Sequence, residues 1–156
     1  MKKNIAFIGC DLKLCDEAAQ KFSDCTDRYF LSIEGLCCYY ACKPSKQDVV
    51  NLLGIDLFNK FFAKAISDAI EYENTTLSIN VLDMDILWLE KLRQSAVMIL
   101  LGNSKAELLK LGADKQGYVR QRYKKFYDIY INADKKSADM VVNETFALIK
   151  RFTSEE

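Results

Sequence analysis

The chain has 156 residues, half of them hydrophobic and one of them proline, which is enough to bury a core and too apolar for a disordered segment. Its 22 Lys and Arg balance its 22 Asp and Glu, so no net field draws it to nucleic acid or to an anionic membrane surface. It contains no histidine, which removes the usual general base, the commonest metal ligand and any Ser-His-Asp triad.

In chain order, Met1-Lys2-Lys3 is basic, but the apolar stretch after it spans about five residues, against the roughly 7–15 of a secretory signal. No run reaches the roughly 18 apolar residues of a membrane span. A cytoplasmic protein with free thiols is expected. Residues 4–9 read as a buried strand. It ends at Gly9 and opens, through a short turn, into a helix over 12–25 with Leu12, Cys15, Ala18, Ala19, Phe22 and Cys25 on one face. A strand, a glycine and a helix N-terminus form the frame of the phosphate-binding loop G-x-x-x-x-G-K-[ST]. Counted from Gly9, the second glycine is Leu14, the lysine is Cys15 and the magnesium-binding hydroxyl is Asp16. Asp11, Asp16 and Glu17 occupy the field a phosphate would use, and each favours the helix dipole by about 0.3–1 kcal/mol. Lys13 is the cation able to fold back towards an anion.

Asp27-Arg28 turns the chain into a second strand over 29–33. A helical stretch then runs to Cys42 and breaks at Pro44. A longer one over 45–72 carries Val49, Leu52, Leu53, Leu57, Phe61, Phe62, Ala65 and Ile66 on its apolar face and breaks at Gly54. Thr75–Leu82 alternates as a third strand, and 84–95 is helical around Ile86, Leu87, Leu89 and Leu92. Ala96–Leu101 is wholly apolar and therefore central. Ser104 and Glu107 form a capping box for a short helix that ends at Gly112. A polar helix over 116–127 leads to a fifth strand over 128–132. Ser137 caps a last helix with Met140 or Val141, Leu148, Ile149 and Phe152 inward. Alternating strands and helices imply one three-layer α/β domain, residues 1–156, with a parallel sheet.

Three stretches of the chain resemble the shikimate kinases: Asn4–Gly9 as opening strand and glycine, Phe58–Asn74 as the helix before the third strand, and Arg120–Asp134 as the closing arginine, tyrosine, "A-D" pair and final strand. The resemblance implies a P-loop kinase fold with five parallel strands in the order 2-3-1-4-5. It also implies ATP- and magnesium-dependent phosphorylation of the 3-hydroxyl of shikimate. Carried across, the lysine and hydroxyl become Cys15 and Asp16, and the two aspartates that bind magnesium and substrate become Ser32 and Glu34. The substrate-binding arginine becomes Asn59, and the glycine triplet becomes Asn80-Val81-Leu82. The lid shrinks to residues 112–119. Arg120 alone matches a binding arginine, the one that contacts the substrate carboxylate.

The remaining clusters read as structure. Cys37-Cys38-x-x-x-Cys42 lacks the paired spacing of a metal site, so no metal is expected, and Cys10, Cys15 and Cys25 fit the core. Arg120, Arg122, Lys124 and Lys125 among Tyr118, Tyr123, Phe126 and Tyr127 read as a solvated helix face and not a nucleic-acid patch. Glu71, Glu73, Asp83 and Asp85 read as surface charge. The expectation is a degraded, non-catalytic relative that needs no cofactor and binds a protein or a small anionic ligand. The alternative is an active small-molecule kinase with ATP and magnesium, using Lys13 and Arg120 as cations and Asp16 or Glu34 on the metal.

Overall fold

Asn4–Gly9 forms a strand, β1, with every side chain buried, as a strand covered by helices on both faces must be. The computed structural model describes residues 4–115 and 117–153. Met1-Lys2-Lys3, Gln116 and the Phe152 side chain, which the sequence reading used, lie outside the described residues. After β1 come α1 (Leu12–Thr26), β2 (Tyr29–Ser32), α2 (Ile33–Ala41), α3 (Lys46–Leu53), α4 (Ile55–Glu71) and β3 (Thr75–Asn80). Then follow α5 (Ile86–Arg93), β4 (Ala96–Gly102), α6 (Ser104–Leu111), α7 (Tyr118–Arg122), β5 (Ile129–Asn132) and α8 (Ala138–Thr153). Single 3-10 turns cover Val81–Asp83 and Ala113–Lys115.

The five strands are all parallel, in the order β2-β3-β1-β4-β5, with Ile5 paired to Thr76 on one side and Val97 on the other. Alternation along the central strands feeds two cores. Phe7, Ile99 and Leu101 face α1 and α8, where Phe22 stacks on Phe146 at 4.9 Å and meets Phe7 edge-on at 5.8 Å. Ala6, Ile8, Met98 and Leu100 face the opposite layer with Ile33, Phe58, Phe62 and Leu89. Each large apolar side chain so buried contributes roughly 1.5–3 kcal/mol.

Several elements depart from the sequence reading. Gly54, at φ 91°, reverses the chain between α3 and α4, so the apolar face does not continue across it. Val49 is buried while Leu52 and Leu53 are exposed. Cys25 lies exposed near the end of α1, and on α8 Val141 is buried while Met140 is exposed. β3 stops at Asn80 because the Asn80 side chain accepts the Leu82 N–H at 3.1 Å and starts a 3-10 turn. The polar helix over 116–127 contracts to α7, anchored by the buried Val119 and Tyr123. The chain then enters β5 through Asp128, whose carboxylate accepts the Met98 N–H at 2.9 Å and the Arg93 guanidinium. Among the described residues, no helix is long and apolar enough to cross a membrane.

Candidate functional site

Helix α1 begins at Leu12, three residues after Gly9. Leu12 and Lys13, which lie between the two glycine positions of the motif, are therefore already helical. The Asp11 carboxylate caps the helix by accepting the Leu14 N–H at 3.2 Å, and the Cys15 N–H bonds the Asp11 carbonyl at 3.1 Å. Two donors that a phosphate-binding loop would present to an anion are thus used within the turn. Gly9 must be glycine here: an added Cβ would lie 2.9 Å from the Leu101 carbonyl oxygen and 3.2 Å from the Cys15 sulfur. Cys15 is completely buried in the α1–α8 core, and burial pushes its thiol well above the ordinary range. Leu14 packs half-buried against the same core, and Lys13 is exposed.

Asp16 turns towards β3, where its carboxylate accepts the Ser78 hydroxyl. Burial raises the Asp16 pKa, the Ser78 bond opposes the shift, and Glu17 adds to it. Ser32 is spent on structure: its hydroxyl caps α2 by accepting the Gly35 N–H at 3.1 Å. Glu34, in the first turn of α2, is half-buried. Desolvation raises its pKa, Lys46 lowers it, and Asp83 and Asp16 raise it further. Asp83 is no surface charge. Its side chain is 15% exposed and pairs with Lys46 at 2.8 Å, whose ammonium also lies 5.0 Å from the centre of the Phe58 ring. Lys110 of α6 adds a positive field on Cys10, Cys15 and Glu34. Asp16, Glu34 and Asp83 therefore share one electrostatic neighbourhood with Lys46 and Lys110. No motif marks those two lysines, so sequence reasoning missed them. Among the described residues, no group of three or more Cys, Asp or Glu side chains is arranged to hold a metal ion.

The β4 and β5 ends form a separate neighbourhood. Asn103, not Ser104, caps α6, accepting the Ala106 N–H at 3.0 Å and reaching Asp11 at 3.4 Å through its amide nitrogen. The expected capping box is absent because Glu107 is drawn inward. It is buried, and its carboxylate accepts the Gly117 N–H. Ser104 instead donates through its N–H and its hydroxyl to Asp134, both at 2.7 Å. Arg120 lies exposed with its guanidinium 4.1 Å from the centre of the Tyr130 ring. Tyr130 covers Gly102 so closely that a Cβ there would sit 2.1 Å from its hydroxyl. Arg120 thus stands on the β5 edge of the sheet, while Ser32 ends the opposite edge strand, β2, and Glu34 follows it.

A groove of about 650 Å³ opens between α4, the Val81–Asp83 turn, α5 and α7. Asn59, Asp83, Asp85 and Arg122 supply its polar lining, and Phe62 and Trp88 form part of its apolar wall. Arg122 is exposed, as the reading of a solvated face expects. Its guanidinium lies 5.7 Å from the rings of both Tyr118 and Tyr123.

No family model and no curated protein matches the chain. Solved structures do. The shikimate kinase of Aquifex aeolicus aligns with a TM-score of 0.81 at 16% identity, over 98% of this chain and 99% of that one. The shikimate kinase of Acinetobacter baumannii, solved in complex with shikimate, aligns at 0.78 and 11% identity, over 99% and 94%. That of Bacteroides thetaiotaomicron aligns at 0.74 and 13%, over 95% and 98%. At these identities the likeness establishes a shikimate-kinase-like P-loop kinase fold over nearly the whole chain.

Proposed function

We propose that this protein is a catalytically degraded pseudokinase of the shikimate kinase type, with a ligand- or protein-binding role in place of phosphoryl transfer. The observation that carries this reading is the β1–α1 turn. Asp11 caps the helix where a phosphate would sit, and the buried Cys15 occupies the position of the lysine. Phosphoryl transfer depends on positive charge and backbone donors around the phosphates, and Asp11, Asp16 and Glu17 offer the opposite charge. Arg120, the one binding arginine that the resemblance carries over, stacks on Tyr130 across the sheet from Glu34. The groove between α4, α5 and α7 supports a binding role, since such grooves with a few convergent polar groups are the usual ligand sites of a fold like this. Neither ATP nor magnesium is needed under this reading.

Calorimetry with ATP and magnesium is expected to give no heat of binding, and a coupled assay for ADP with shikimate is expected to give no turnover. Micromolar ATP binding that vanishes in Lys13→Ala, or turnover above the no-enzyme control, would overturn the proposal.

A further inference from the structure

The groove between α4, α5 and α7 is lined by charges of both signs. Where the resemblance implies an arginine stands Asn59, and the lining includes two carboxylates, Asp83 and Asp85, with one guanidinium, Arg122. One oxygen of Asp83 accepts from Lys46, while the other, Oδ2, is shielded from solvent and has no hydrogen-bond partner among the described residues. Lys46 thus already neutralises Asp83, and the carboxylate open to the groove is that of Asp85. Asp85 is exposed and uses one oxygen to accept the Leu87 N–H at 3.1 Å. Arg122 is exposed and lies beside the rings of Tyr118 and Tyr123, whose hydroxyls it also engages. Phe62 and Trp88 give the groove an apolar wall.

We infer that this groove takes a small zwitterion, an ammonium and a carboxylate on an apolar body, in place of the anion that the resemblance implies. The inference rests on the ligand-binding reading above. A purely anionic ligand finds one cation and meets like charge at Asp85. A purely cationic one meets Arg122. A zwitterion satisfies both signs with charge-assisted hydrogen bonds, and the mismatched charge repels each simpler analogue.

The test is an amide NMR titration of the full chain with four probes: L-phenylalanine, phenethylamine, 3-phenylpropionate and shikimate. Phenylalanine is expected to shift the amides of Asn59, Met84, Trp88 and Arg122, and each single-charge analogue is expected to bind about tenfold more weakly, the loss of one charge-assisted bond. Arg122→Gln is expected to remove the advantage over phenethylamine. Asp85→Asn, which keeps a good helix cap, is expected to remove the advantage over 3-phenylpropionate. Stronger binding of shikimate or 3-phenylpropionate, no binding by any probe, or indifference of phenylalanine to both substitutions overturns the inference. ATP with magnesium added to the same sample separates the two claims. ATP binding overturns the pseudokinase reading, and anion preference without ATP binding overturns only the zwitterion groove.

Discussion

Cys15→Lys restores one letter of the phosphate-loop motif, and the geometry of α1 makes that change ruinous. The Cys15 side chain is completely buried between Gly9 of β1 and the α1–α8 core. A lysine there must bury an ammonium or force the helix off the sheet. Burial of this kind depresses a lysine pKa by roughly two to three units at about 1.4 kcal/mol each, and overpacking adds about 1–3 kcal/mol. Asp11 and Asp16 stand close enough to act electrostatically on Cys15 and offset part of this, leaving a loss of about 3–5 kcal/mol. Against a total stability of about 5–15 kcal/mol that is a large fraction. Urea unfolding measures it. Because the folded-state pKa of the new lysine falls below its unfolded value, the folded chain binds fewer protons. The deficit is then complete at pH 7 and shrinks as the pH rises towards the unfolded value of about 10.4. A variant as stable as the parent that also binds ATP would refute the reasoning, because residues 9–16 would then form a phosphate loop lacking only its lysine.

Three further outcomes follow from the geometry. Gly102→Ala places a Cβ against the Tyr130 hydroxyl and is expected to lower stability by about 1–3 kcal/mol, with less than additive loss when combined with Tyr130→Ala; an additive double-mutant cycle would contradict that contact. In native protein at pH 8, Cys25 and Cys42 are expected to react first with an aromatic disulfide reagent because they are exposed. Cys10 and Cys37, buried and with pKa values pushed up to about 11 and about 12, are expected to react only on unfolding, as mass mapping of the labelled peptides would report. Glu107 is buried, and desolvation raises its folded-state pKa above 4.5, so the folded chain holds the proton more tightly and stability falls as the pH rises through that window. Glu107→Gln keeps an acceptor for the Gly117 N–H and is expected to flatten this fall; an unchanged pH profile in the variant would dismiss the assignment.

The fold was legible where chemistry and periodicity agreed. Every residue of Ala96–Gly102 is buried because the strand is central, and its apolar run announces as much. The strand order was legible only through the resemblance, since spacing carries no lateral information. The site was legible in what it lacks: Cys15, Asp16 and Asn59 are visible losses in one dimension. Its replacements were not visible. Lys46 meets Asp83 across 37 residues, and Asn103 meets Asp11 across 92, distances at which no local pattern operates. Asp83 looked like surface charge because its burial depends on α3 folding back to it. The Ser104–Glu107 spacing fits a capping box, but the Gly117 N–H competes for Glu107 and a neighbouring asparagine takes the cap.

The bonds that join Asp11 to Asn103 and Ser104 to Asp134, with Asn132 accepting the Asp134 N–H at 3.0 Å, tie the loops after β1, β4 and β5 into one continuous rim. Enzymes that close on a nucleotide and release it need such loops to part and rejoin in each cycle. A rim stitched in this way gives up that freedom: to separate any two of its loops is to break side-chain bonds on both.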